Sequence, residues 1–305
     1  MMHNIFSGLL CVIILIVLTA SCSGSREMNN TAALVLSRAV YASDKDNPFG
    51  PGYYFQDERL PEKTAFLTFD DGPSDWTPDI LDTLAKENVK ATFFICGRFN
   101  MKGKPGTSFK IHKDALLRMK QDGHVIGTHT ATHRVLTGMS EESIRSEFLL
   151  NQAMLDDALG DESVKMTVFR PPLGCPWLGK VSRDEKIRVS EITGRYAVTI
   201  LWTYTMDSTD AWDWVEGEWY KNGPRINTGT EAFMLKKLRI YHRVVNRAEG
   251  EGMVILFHDT HNTTSGILPE IIAGLKEKGY VFGTAEDLLC WKYGARSRDL
   301  LSPGK

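Results

Sequence analysis

The chain has 305 residues, 42% of them hydrophobic and 24% charged, and a formal net charge of −2. That is ordinary globular composition, enough for one large domain or two small ones. The near-neutral charge leaves no basic footprint, which argues against nucleic acid as a partner.

In chain order, the first feature is the apolar run from Ile5 to Ala20. It ends in the small residues Thr19, Ala20 and Ser21 before Cys22, and reads as an export signal over residues 1–21 rather than a core element. Its leading residues, Met1 to Asn4, lack Lys and Arg. Small residues ahead of a cysteine match a bacterial lipoprotein cleavage box, with Leu18 one place further from Cys22 than usual. Lipidation at Cys22, plain cleavage and a retained membrane anchor stay open, since such a run is also long enough to span a bilayer. Each places the remainder outside the cytoplasm, so an exported, membrane-attached protein of the cell envelope is expected. Residues 22–62 are polar, with the turn-rich "NPFGPG", and are expected to form a tether and lead-in segment.

From Thr64 onward, short β-branched and aromatic runs alternate with helical patterns, the signature of successive βα units. Strands are predicted at Ala65–Phe69, Ala91–Cys96, His124–Thr128, Met166–Phe169, Tyr196–Tyr204, Met253–Phe257 and Tyr280–Gly283. Between them Thr77 is predicted to cap a helix with Pro78 at its first position. Ser140 opens another that carries Ile144, Phe148, Leu155 and Leu159 on one face, and Pro269 a third that Gly279 ends. About seven such units imply a closed or nearly closed α/β barrel, one strand short of eight. The domain is expected over residues 63–290, with residues 291–305 as a tail. Cys96, Cys175 and Cys290 are an odd set without metal-ligand spacing, which leaves one disulfide or three free thiols open.

In such barrels the active site gathers where the strands end. Just beyond the predicted strands stand Asp70 and Asp71, then His129 and His133, then Arg170, then a cluster of Asp and Trp, then His258 with Asp259. Adjacent carboxylates raise each other's pKa unless a cation or donor separates their roles, so "TFDDGPS" asks for a metal. In "HTATH" a helical turn would project His129 and His133 to one side. With Asp71 they make a two-His, one-carboxylate set suited to Zn²⁺ or a transition-series neighbour, Co²⁺ or Ni²⁺. Arg170 in "RPPLG" is a cation that can keep Asp70 ionised, and His258 ends an apolar strand on the same rim as a candidate acid.

"TFDDGP", "HTATH", "RPPLG", a "DxxDW"-like stretch and "LFH", in that order, resemble the five motifs of the polysaccharide deacetylase family, the NodB-homology carbohydrate esterases. The match runs from about Lys63 to Leu289. It implies a distorted (β/α) barrel that uses one divalent metal to remove acetyl groups from an acetylated polysaccharide. It also implies that Asp71, His129 and His133 bind the metal and that Asp70 is the base, oriented by Arg170. The Leu173 N–H would help hold the oxyanion, His258 would be the acid, and Leu256 would line the acetyl pocket.

There are two departures from the family pattern. Leu173 stands where the family has Tyr, which keeps the backbone N–H and removes a ring from the groove. "MDSTDAWDW" fits the fourth motif in two registers, so the carboxylate tuning His258 is Asp210 or Asp213; Asp210 belongs to both. The long connection from Ala211 to Thr230 carries Trp212, Trp214, Trp219 and Tyr220, which can serve as platforms for sugar faces or pack the loop down. Rival readings are an O-acetyl esterase on xylan-like polymers and a catalytically dead glycan-binding barrel. The second would have lost a ligand, base or acid residue, and none is missing.

Overall fold

The computed structural model describes residues 60–97, 109–178, 180–210 and 227–301. The expected signal, Cys22 and nearly all of the tether lie outside these residues. Among the described residues no helix is long and apolar enough to cross a membrane.

The central strand is β1 (Thr64–Asp70). Its alternate residues Ala65, Leu67 and Phe69 pack outward against α1 (Thr77–Lys86) through Ile80, Leu81 and Leu84. Phe66 joins a second, inner cluster with Phe94, Trp202, Val254 and Leu256. A strand buried on both faces must be apolar at nearly every position, which is why it reads as an unbroken run. The polar exceptions, Thr68 and Asp70, fall on the Phe66 side by the two-residue period.

The remaining elements follow as βα units. They are β2 (Thr92–Ile95), α2 (Lys113–Gln121), β3 (Val125–Thr128), α3 (Glu141–Leu159), β4 (Val168–Phe169), α4 (Arg183–Thr193) and β5 (Val198–Thr199). Then come α5 (Glu231–Tyr241), β6 (Met253–His258), α6 (Asn262–Glu277), β7 (Val281–Gly283), α7 (Ala285–Tyr293) and α8 (Ser297–Leu301). Every strand pairing is parallel, in the order β5-β4-β3-β2-β1-β6. β6 pairs with β1 from Ala65↔Met253 to Asp70↔His258. β1's other edge is shared, its upper part by β2 and its lower part by β7.

The sheet curls without closing strand to strand. Between β5 and β6 runs an irregular segment: Thr203 N–H donates to Val254 O and Thr209 N–H to Leu256 O, at 3.0 and 3.1 Å. On the β5 side of this gap β4 and β5 are each two residues long, and β4 is followed at once by Arg170 and then Pro171 and Pro172, which have no N–H for a ladder.

Several local expectations change. Thr77 lies inside α1 and makes no cap; its hydroxyl donates to Asp259 instead, at 2.6 Å. Ser140 does cap α3, accepting from Ser143 N–H at 3.2 Å. Pro269 lies inside α6, which starts seven residues earlier at Asn262, immediately beyond the rim. Gly279, at φ +81, follows that helix as expected. Cys96, Cys175 and Cys290 form no disulfide with one another. The segment expected to be a tail carries α8, where Ser297 and Leu300 are buried against the domain.

Candidate metal centre and catalytic rim

Asp70 ends β1 and Asp71 takes a left-handed backbone conformation, φ +75; Asp70 Oδ2 and Asp71 Oδ1 lie 3.8 and 3.4 Å from the same His129 Nε2. The Asp70 Oδ1 atom accepts from an Arg170 Nη1 donor at 3.0 Å. Arg170 is fully buried, and its other donors go to Thr68 Oγ1 at 2.6 Å, Ile200 O at 3.1 Å and Leu201 O at 2.9 Å. Its guanidinium lies 4.3 Å from the Phe94 ring centroid. A planar fork held on three sides cannot swing, so the cation fixes the direction of Asp70.

His129 and His133 come together by a route other than the expected helical turn. Thr130 and His133 have φ of +67 and +56, and His133 N–H donates to Thr130 Oγ1 at 3.1 Å. The amides of Ala131 and Thr132, which a helix would turn inward, donate to Glu147 Oε2 at 3.0 and 2.9 Å. Glu147 is buried on α3, one turn before Asn151. Asn151 donates to Ile95 O and Thr128 Oγ1 and accepts from Gly97 N–H, tying the ends of β2 and β3 together. Sequence reasoning did not single out Glu147 or Asn151. Their signal was present as two polar residues, four apart, interrupting the apolar stripe of α3.

His129 Nδ1 lies 2.8 Å from the Arg170 carbonyl. A carbonyl only accepts, so Nδ1 carries the proton and the lone pair of a neutral ring sits on Nε2. That Nε2 lies 3.4 Å from Asp71 Oδ1, and His133 Nε2 lies 3.3 Å from the same oxygen. Asp71 Oδ1 is buried and has no hydrogen-bond donor. Burial pushes the Asp71 pKa up, but the imidazoles, His133 first, outweigh it and hold the group well below the ordinary carboxylate range. Burial lowers His133 to about 4, a neutral ring at neutral pH. An orphaned carboxylate oxygen facing two imidazole nitrogens fits a divalent cation.

Asp210, His258 and His261 also bring three donor atoms within 4.8 Å of one another. Here the carboxylate is already satisfied. Asp210 Oδ1 accepts from His258 Nδ1 at 2.8 Å, and Oδ2 accepts from His258 N–H and Thr264 Oγ1, both at 2.6 Å. Burial acts to lower His258, but the Asp210 charge and hydrogen bond lift it to about 10. Asp210 itself is held below its usual range against the effect of burial, chiefly by the His258 charge. A saturated carboxylate beside a protonated imidazole stores a proton, whereas the Asp71 set has an open place for an ion. The geometry also selects Asp210 as the partner of His258; Asp213 and Trp212 lie outside the described residues.

Leu173 sits in the 3₁₀ turn Pro172–Gly174 at φ +56 with its side chain exposed. Leu256 is buried on the inner face of β6, in the same cluster as Trp202 and Phe66. Asp70, Asp71, His129, His133 and Arg170 thus form one contiguous cluster. The Asp210–His258 pair stands beside it, where β6 ends alongside β1.

A family model described as polysaccharide deacetylase matches residues 57–187. The chain is 33% identical over 221 residues to a peptidoglycan-N-acetylglucosamine deacetylase of Bacillus cereus, covering 72% of this chain and 68% of that one. It is 32% identical over 228 residues to the peptidoglycan-N-acetylglucosamine deacetylase PgdA of Listeria monocytogenes, covering 74% of this chain and 39% of that longer protein. Among solved structures, a polysaccharide deacetylase from Bacillus cereus superposes with a TM-score of 0.54 at 28% identity, over 73% of this chain and 91% of that one.

Proposed function

The chain belongs to the polysaccharide deacetylase family, and from that premise we propose that it removes N-acetyl groups from sugars of peptidoglycan or a related glycan at the rim around Asp70 and Asp71. It is a metal-dependent hydrolase acting on carbon–nitrogen bonds other than peptide bonds. The observation that carries the site is Asp71 Oδ1, buried without a donor and faced by His129 and His133, beside an Asp70 pinned by Arg170.

Asp71, His129 and His133 would hold the ion, with zinc favoured by the two-nitrogen, one-oxygen donor set and cobalt or nickel as alternatives. A bound divalent ion supplies Lewis acidity, which lowers the pKa of water and polarises the acyl carbonyl. Asp70, held in place by Arg170, takes the proton as water attacks that carbonyl. The Leu173 N–H helps hold the oxygen on which charge develops, a contribution of about 3 kcal/mol for such a donor. His258, protonated through Asp210, gives its proton to the departing sugar nitrogen as the bond to the acyl carbon breaks. Leu256 offers an apolar wall to the acetyl methyl group, and Trp212 a platform for a sugar ring. Export and attachment through a lipid on Cys22 complete the proposal, supported by the apolar run that ends in small residues ahead of that cysteine.

The test is acetate release from N-acetylglucosamine oligomers, peptidoglycan and acetylxylan by purified protein, with and without a chelator. Chelator-sensitive release from an N-acetylated glycan is expected. Release from acetylxylan alone would move the assignment to an ester, and release that ignores the chelator would remove the metal from the chemistry.

A further inference from the structure

Asp259, one residue past His258, takes no part in the proposed reaction, although it is a fully buried carboxyl group beside the site. Its surroundings form a closed ring. Asp259 Oδ2 accepts from Thr77 Oγ1 at 2.6 Å, Thr77 Oγ1 accepts from Ser74 N–H at 2.7 Å, and Ser74 Oγ donates back to the Asp259 carbonyl at 2.5 Å. The carboxyl also lies against the backbone of Gly72, where a Cβ would fall 2.0 Å from its Oδ2. Gly72 follows Asp71, and its carbonyl accepts from Cys96 N–H at 2.9 Å.

We infer that Asp259 is a positioning residue that clamps the turn carrying Asp70 and Asp71 to the turn carrying His258, and thereby sets the metal ligand Asp71 in place. The inference rests on the proposed metal assignment. Hydrogen bonds close on Asp259 from two points of the β1–α1 turn, Ser74 and Thr77, while contact at Gly72 requires a residue without a side chain. Two segments 187 residues apart in sequence, at Thr68 and Ile255, meet lower in the same strand pair; at the rim the ladder has ended and Asp259 takes over its work. An amide oxygen at this position can still accept from Thr77 Oγ1, so Asp259→Asn preserves that bond. Asp259 Oδ1 is buried without a partner, a cost expected to persist only where the group serves the site.

The experiment measures Zn²⁺ affinity by competition with a chromophoric chelator, together with kcat, KM and Tm, for wild type, Asp259→Ala, Asp259→Asn and Thr77→Val. Asp259→Ala is expected to weaken Zn²⁺ binding by about 10-fold or more, as loss of support behind a metal ligand commonly does, and to lower kcat with KM little changed. Asp259→Asn, whose amide oxygen still accepts from Thr77, is expected to stay within about 3-fold of wild type in affinity, well short of that loss. Asp259→Ala with wild-type affinity and kcat overturns the inference whatever its Tm, as does Asp259→Asn impaired to the same degree as Ala. If Asp259→Ala does not fold, Thr77→Val decides, weaker metal binding supporting the clamp and unchanged binding overturning it. A wild-type protein that binds no stoichiometric ion would instead sink the metal assignment itself.

Discussion

Arg170 and Asp70 meet at 3.0 Å with both side chains sealed from water. Removing one partner of a buried ion pair leaves an uncompensated charge and costs about 3–5 kcal/mol. The pair is therefore expected to be decisive for both folding and turnover. Asp70→Asn still accepts from Arg170 but cannot take a proton. It should fold with reduced stability, because the buried Arg170 cation loses its counter-charge, hold its metal and lose about 10²- to 10⁴-fold in kcat, the range for a lost general base. Metal analysis together with acetate release checks this, and near-normal turnover would show that Asp70 is not the base. Arg170→Met strips the counter-charge from the buried carboxylate and should lower stability in urea by several kcal/mol, on the order given for such a break.

His133→Ala removes one of the two nitrogens facing Asp71 Oδ1. Metal content after dialysis should fall well below that of the wild type, and activity should return only at high added Zn²⁺. Unchanged metal content would remove His133 from the ligand set.

The Asp210–His258 pair predicts a pH dependence whose sign is set by the two shifts. The folded pKa of His258 is raised to about 10 from 6.5. Its stabilising contribution is thus complete below about 6.5 and is lost as pH rises through about 10. Asp210 is depressed, so its share is present above the ordinary carboxylate pKa and is lost as pH falls through the folded value. In Asp210→Asn the buried imidazole loses its main counter-charge, and burial is opposed only by the weaker influence of the Asp71 and Asp70 charges. The alkaline limb of kcat should then move down by pH units, and the loss of stability should be greatest in mildly acid solution, between the ordinary carboxylate pKa and about 6.5, and fade as pH rises towards 10. A pH–rate profile that superimposes on the wild type would sink the acid assignment.

Glu147→Ala leaves the amides of Ala131 and Thr132 without their acceptor. Each buried donor left unpaired costs about 1–3 kcal/mol, and the loop between the two histidines should loosen. The expected result is a lower Tm together with metal affinity reduced by about 10- to 100-fold, the range for groups behind metal ligands. Glu147→Gln keeps an acceptor oxygen and should recover most of both. Calorimetry and chelator competition on the same two variants check the pairing of effects.

The strands and the rim were legible because a parallel sheet buries both strand faces, so each core strand stands out as an apolar run and each polar residue just beyond it marks the rim. β1 and β6 are the clearest cases. β4 and β5 were readable as runs but not in extent, because where the ladder stops is decided by Pro171 and by the partner strand. The histidine spacing correctly suggested convergence for a reason that fails in the structure: the loop is set by positive φ at Thr130 and His133 and by Glu147, a contact 15 or 16 residues away that no local pattern encodes. A proline suits the first position of a helix, so the sequence alone points to a start at Pro269. In the fold the helix begins at Asn262, directly after the rim turn, and runs through the proline. Asp259 was visible only as the neighbour of His258; its bonds to Thr77 and Ser74 span more than 180 residues.

The register that pairs Asp70 with His258 makes the reach between proton acceptor and proton donor a matter of ladder arithmetic. Exchanging one aliphatic residue for another within β1 or β6 can soften the molecule while leaving that reach untouched. Inserting a single residue into either strand would rotate one of the two groups onto the helix-facing side and yield a folded, silent protein, since side chains alternate with every step. Insertions in this enzyme are therefore intolerable in the two strands beneath the rim.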